Sequence, residues 1–241
     1  MTLVSLLLFS TIRVAAGTAN AQLPTGDQVV ARMLARDNER QAAFNGYTAA
    51  RRYVLENQRY GKHAEMLVRL TCQKDGSKQF ETVSATGWGG ARKHVFPRLL
   101  EGETEASRPD SRDRSRIIPE NYTFEMLGTE YVDGRPAYVI AITPKTPNKY
   151  LMQGRIWVDA AEYAIVRIEG QPAKNPSFWI RSVHFVHRYQ KQGSFWFPVC
   201  NRSVTEVRIF GTTEVTIEYF DYAPHTPALS ASRESVGRSL P

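Results

Sequence analysis

Two histidines three residues apart, His184 and His187, are the first side chains whose type and spacing could do chemistry, by sharing a metal ion. Both fall in a run, Phe178 to Tyr189, that reads as a strand. Residues three apart on a strand point to opposite faces, so the pair does not close on one ion. No third ligand accompanies them, and His63, His94 and His225 are isolated. Asp159 and Glu162 are close enough for general acid–base work, but they fall in a hairpin turn, where Asp commonly bonds the backbone. Ser84 and the other serines have no G-x-S-x-G elbow. Cys72 and Cys200 have no evident histidine partner, and each sits in a strand-like run. Gly89-Gly90 lies outside any G-x-x-x-x-G-K-S or G-x-G-x-x-G pattern. The expectation is therefore a non-enzyme, with no catalytic residue, no metal and no cofactor.

What remains as a functional feature is apolar. Met66, Val68, Leu70, Phe80, Tyr138, Ile140, Ile156, Trp157 and Val166 are strand residues that could line a ligand cavity. The same residues could equally form a filled core, since large antiparallel sheets do either. Both readings stay open at this point.

The elements that must position these residues follow from periodicity. Val29, Val30, Met33 and Leu34 recur at helical spacing, with Asp27 as a plausible N-cap and Gly46 as the stop. Tyr47 to Gln58 and Lys62 to Gln73 read as a hairpin around Arg59-Tyr60-Gly61. In the second run Ala64, Met66, Val68, Leu70 and Cys72 share one face, and Glu65, Arg69 and Thr71 the other. Phe80 to Thr86 is the next strand. Trp88-Gly89-Gly90 then breaks the pattern. Lys93 to Glu105 has mixed helical character weakened by Pro97, and Arg108 to Arg116 reads as a solvated loop.

The sheet resumes at Tyr122. Phe124 to Val132 and Arg135 to Thr143 flank Asp133-Gly134, the strongest hairpin signal in the chain. Leu151 to Val158 and Ala164 to Glu169 form another hairpin. Phe178 to Tyr189, Phe195 to Phe210 and Thr213 to Tyr222 complete about ten strands, joined up-and-down. So many strands curl, and the apolar concave face needs a cover; the Val29 helix and the segment around Leu99 are the candidates. The fold class is mainly β: a curved antiparallel sheet of about ten strands, covered by helices.

The chain of 241 residues suits one such domain, and 42% apolar residues suffice for its core. The net charge is +7, but Lys and Arg are dispersed among acidic neighbours, which argues against a nucleic-acid footprint. Trp179-Ile180-Arg181 and His187-Arg188-Tyr189 could stack bases or form an exposed strand face with snorkelling Arg, and export favours the second reading over a nucleic-acid partner. Met1 to Ala21 has the apolar run Leu3 to Phe9 and the A-x-A site Ala19-Asn20-Ala21, the pattern of a signal peptide. Residues 22–222 are expected to form the domain and 223–241 a disordered, Pro- and Ser-rich tail. Export would permit a disulfide between Cys72 and Cys200, which the sequence leaves open.

The run Tyr150-Leu151-Met152-Gln153-Gly154-Arg155-Ile156-Trp157-Val158-Asp159, followed by Ile165-Val166-Arg167-Ile168-Glu169-Gly170, resembles a hairpin of the outer-membrane lipoprotein-sorting superfamily, the periplasmic carriers of the LolA/LolB type. Phe195-Trp196-Phe197-Pro198 and Tyr219-Phe220-Asp221-Tyr222 add to the likeness, which spans Asp27 to Tyr222. It implies that the curved sheet forms an unclosed, LolA-like β-barrel of about ten to eleven strands, with an apolar lining and helices as a lid, in a periplasmic binding protein. The implied partner is a lipid, an acyl chain or an acylated lipoprotein, with transient membrane contact. The alternative is a sensor or envelope assembly module with a filled core and a protein partner. Gln22, rather than Cys, follows the cleavage site, so the mature protein is expected to be soluble in the periplasm.

Overall fold

The computed structural model describes residues 23–175, 180–209 and 211–225. The expected signal peptide and most of the expected tail lie outside the described residues.

Helix α1 spans Gly26–Ala42. Its N-cap is Thr25 rather than Asp27. The Thr25 hydroxyl accepts from the Gln28 backbone N–H at 3.2 Å, and the Gln28 side chain accepts from the Thr25 N–H at 3.0 Å. This reciprocal box satisfies two backbone donors at once, which Asp27 could not do from inside the first turn. Ala43 caps the C-terminus. Gly46, at φ +90°, lies beyond it and turns the chain into the sheet.

Ten strands follow: β1 Tyr47–Asn57, β2 Lys62–Cys72, β3 Lys78–Gly87, β4 Tyr122–Val132, β5 Arg135–Pro144, β6 Met152–Asp159, β7 Ile165–Pro172, β8 Ile180–Gln192, β9 Phe195–Val207 and β10 Gly211–Pro224. They form one antiparallel sheet in the order β3-β2-β1-β10-β9-β8-β7-β6-β5-β4. The sheet is curved and not closed into a barrel, as expected. The connection differs from a simple up-and-down meander in one place: β3 and β4, consecutive in sequence, are the two opposite edges. The last strand returns to pair with the first, Tyr53 opposite Ile217 and Leu55 opposite Val215.

The chain between those edges is helical. A single π-turn, Ala91–Val95, runs into α2, Phe96–Ala106. Pro97 does not break α2, because it lies in the first turn after the π-turn, where its fixed φ suits a helix start. The charged stretch expected to be a loop forms a short helix, α3, Pro109–Ser115. Asp110 in its first turn and Arg112 and Arg114 in its last complement the helix dipole, so its charge pattern supports a helix after all.

The helices divide the covered face in two. Under α1, Val29, Val30 and Met33 pack against Tyr122, Ile140, Ile142, Ile156, Val158 and Ile168. Burying the three α1 side chains contributes roughly 5–9 kcal/mol of transfer free energy before conformational entropy. Under α2 and the π-turn before it, Phe96 and Ala91 pack on Tyr53, Leu55, Met66, Val68 and Ile217.

Candidate ligand-binding cavity

The alternating burial of β1 puts Tyr47, Ala49, Arg51, Tyr53, Leu55 and Asn57 on the covered face. Between the Leu55 end of that row and α2 lies a cavity of about 580 Å³. Leu55, Val215 and Ile217 form its floor, Val207 one side, and Trp88, Val95 and Leu99 its roof. Asn57, His94, Ser203, Thr205 and Thr213 add polar groups. A mainly apolar hollow of this size with a few polar groups is the form that small-ligand sites take.

Further along the same face of β1, outside the cavity lining, lies a buried charge. Arg51, 1% exposed, reaches from β1 to the carboxylate of Glu103 on α2. The Tyr53 hydroxyl donates to the other Glu103 oxygen at 2.9 Å. The Arg51 guanidinium also lies 4.6 Å from the Tyr219 ring centroid and 5.3 Å from that of Phe80. Burial works most strongly against the Arg51 charge, but Glu103, Tyr219 and Tyr53 together outweigh it and hold the guanidinium above its ordinary range. Burial likewise raises the Tyr53 and Tyr219 hydroxyls, which stay protonated. His187, on β8, is pushed down to about 4 by burial, against a weaker pull from Glu103. It is neutral at neutral pH.

The nine apolar residues expected to line a cavity are distributed over both faces. Met66, Val68 and Phe80 pack under α2, with Phe80 extending to the cluster that contains Leu70. Tyr138, Ile140 and Ile156 pack under α1. Trp157 and Val166 are on the opposite, outer face with Ala137 and Val139. The reason is the strand period: Ile156 and Trp157 are consecutive, so they cannot share a face. Trp157 is buried there because Arg155 and Arg167 cover its ring, at 5.2 and 4.5 Å, while its Nε1 donates to Glu130 at 2.8 Å. None of the nine lines the 580 Å³ cavity. Its lining comes instead from β1, β9, β10, the π-turn with the residues just before it, and Leu99 of α2. The alternation of Leu55 with its neighbours and of Val215 with Ile217 was the available signal.

His184 and His187 occupy opposite faces, one exposed beside Arg202, the other facing Phe185 and Tyr122. Among the described residues no group of three or more His, Cys, Asp and Glu side chains is arranged to hold a metal ion. Asp159 serves the turn it sits in: it accepts from the N–H groups of Ala161 and Glu162 and pairs with Arg135 at 2.6 Å. Both cysteines are free, Cys72 within the covered-face core and Cys200 opposite Arg188 and Glu218. No helix of the described residues is long and apolar enough to cross a membrane.

An open half-barrel of antiparallel strands, with helices across one face and an apolar hollow beneath them, defines the class of protein. The chain belongs to the family described as an uncharacterized protein, whose model matches residues 104–229, more than half of its length. No curated protein matches its sequence. Solved structures similar to it include an outer membrane lipoprotein-sorting protein domain from Vibrio parahaemolyticus, 16% identical, with a TM-score of 0.46 over 83% of this chain and 92% of that one. A LolA superfamily protein from Nitrosomonas europaea is 10% identical, with a TM-score of 0.38 over 85% of this chain and 96% of that one. A DUF1329 family protein from Desulfovibrio piger is 14% identical, with a TM-score of 0.41 over 88% and 95%.

Proposed function

We propose that this chain is an exported, non-enzymatic binding protein of the cell envelope, a carrier or acceptor for a lipid, an acyl chain or a lipoprotein. The observation that carries the reading is the 580 Å³ cavity under α2. Its floor and roof offer apolar contact to a hydrocarbon chain. Each methylene buried contributes about 0.8 kcal/mol, so eight supply about 6 kcal/mol before the costs of association. The leader read over Met1 to Ala21 supports export to the periplasm, and Gln22 at the mature terminus supports a soluble form.

A second reading, an envelope interaction module, is favoured by the edge strand β4. Leu127 and Tyr131 stand out from it, 50% and 79% exposed, beside backbone groups that no strand among the described residues pairs.

Uptake of an environment-sensitive apolar dye by delipidated protein separates the two. The binding-protein reading expects dye uptake, release by added fatty acid, and co-purifying acyl species in native mass spectra of protein from its own host. Absence of any uptake at micromolar concentrations, with a stable protein partner instead, would move the second reading to first place.

A further inference from the structure

At the other end of the covered face, about 26 Å along β1 at the usual strand rise, a second cavity of about 360 Å³ opens between α1, α3 and the strand ends. Its walls are aromatic. Phe44 meets Tyr47 and Phe195 edge to face, and Tyr47 meets Phe197 the same way. Four charged side chains reach it: Asp37, Arg40, Lys78 and Arg112. Two of them cancel, because Asp37 pairs with Arg40 at 2.9 Å. Lys78 and Arg112 form no ion pair among the described residues.

Their placement is built rather than incidental. Lys78 opens β3 opposite Cys72 and is half-buried. Burial and the nearby Arg51 charge hold its ammonium below the ordinary lysine range, against the pull of Glu103. Arg112 comes from α3, and its guanidinium occupies the space that a Cβ on Gly76 would fill, so the glycine of the β2–β3 turn seats it. Asp75 acts on Arg112 and Glu103 on Lys78 without closing an ion pair, and the two cations repel each other beside packed rings in a site of reduced dielectric; an anion between them relieves that repulsion.

We infer that this cavity is a subsite for the anionic head of an amphiphile, a carboxylate or phosphate joined to an apolar chain or ring. Arg112 offers the head a bidentate fork and Lys78 a point charge. Phe44, Tyr47 and Phe197 take the first apolar carbons. The inference rests on the binding-protein reading and narrows it to anionic ligands.

The test titrates the full chain with dodecyl phosphate, laurate, dodecanol and dodecyltrimethylammonium, each below its micellar concentration and at low ionic strength. Calorimetry and tryptophan fluorescence report binding, since Trp196 lines the cavity. Both anions should bind at least tenfold more tightly than dodecanol, and the ammonium least. Lys78→Gln combined with Arg112→Gln should abolish that advantage and leave dodecanol affinity unchanged. A tenfold preference between the two anions assigns the head as phosphate or carboxylate; equal affinity means that either serves. Dodecanol or the ammonium binding as tightly as the anions overturns the inference, and so does a double variant that keeps the anion advantage. Inorganic phosphate binding as tightly as dodecyl phosphate overturns the role of the aromatic walls. Chain binding without charge preference sinks the subsite alone. No binding of any chain sinks the binding-protein reading with it.

Discussion

Arg51 of β1 and Glu103 of α2 form an ion pair across the boundary between sheet and helical cover, with the Arg51 side chain 1% and the Glu103 side chain 25% exposed. The asymmetry of exposure matters more than the pairing. Glu103→Ala leaves a guanidinium buried without its carboxylate, which costs about 3–5 kcal/mol. Arg51→Met removes the buried charge and keeps apolar bulk, while Glu103 retains water and the Tyr53 hydroxyl, so it should cost less than about 2 kcal/mol. Denaturant unfolding of the two variants measures the difference. Equal losses would mean that the pair is not desolvated on the Arg51 side.

The Asp133-Gly134 turn has φ of 49° and 77° at its two central residues, the left-handed values of a primed hairpin turn. No atom lies within 4 Å of a Cβ built on Gly134. The effect of a side chain there is therefore purely a backbone one. Gly134→Val should lower stability by about 1 kcal/mol or more. Thermal unfolding checks it; an unchanged melting temperature would contradict the turn assignment.

His187 titrates near 4 in the folded chain against an ordinary 6.5. Between those values the unfolded chain binds a proton that the folded chain refuses, so stability rises with pH across that window. The protection is complete above pH 6.5 and is lost as pH falls toward 4, by at most roughly 3 kcal/mol from this group. Replacing His187 with Gln should flatten the unfolding free energy over that interval. A variant with the wild-type slope would assign the acid sensitivity to other groups.

Core and cavity positions should respond differently to substitution. Met66 is 3% exposed within the cluster under α2, and Met66→Glu buries an unpaired charge at a cost of several kcal/mol. Loss of folding is the expected outcome, seen as loss of cooperative unfolding. Leu99 lines the 580 Å³ cavity and has room before it. Leu99→Trp should leave the fold intact and reduce dye uptake severalfold. Unchanged uptake would place the dye elsewhere.

Much of the fold is written locally. The alternation from Ala64 to Cys72 is the burial pattern of β2, Asp133-Gly134 is the turn it reads as, and the α1 stripe of Val29, Val30 and Met33 is the one that packs. Each depends on a period of 2 or 3.6 residues or on the φ a glycine permits, which neighbouring residues specify by themselves. Where apolar residues stand on both sides of a strand, as at Ile156 and Trp157, type alone does not mark the covered face, and both read as interior. The helical state of Pro109–Ser115 was obscured because its stabilising charges look the same as those of a loop. The cavity belongs to tertiary structure. Leu55, Leu99 and Ile217 come together only because α2 crosses the sheet between its two edge strands and β10 returns to pair with β1. Those are long-range contacts, chosen by how the whole sheet curves and buries its apolar face, and no local stretch of sequence carries that information.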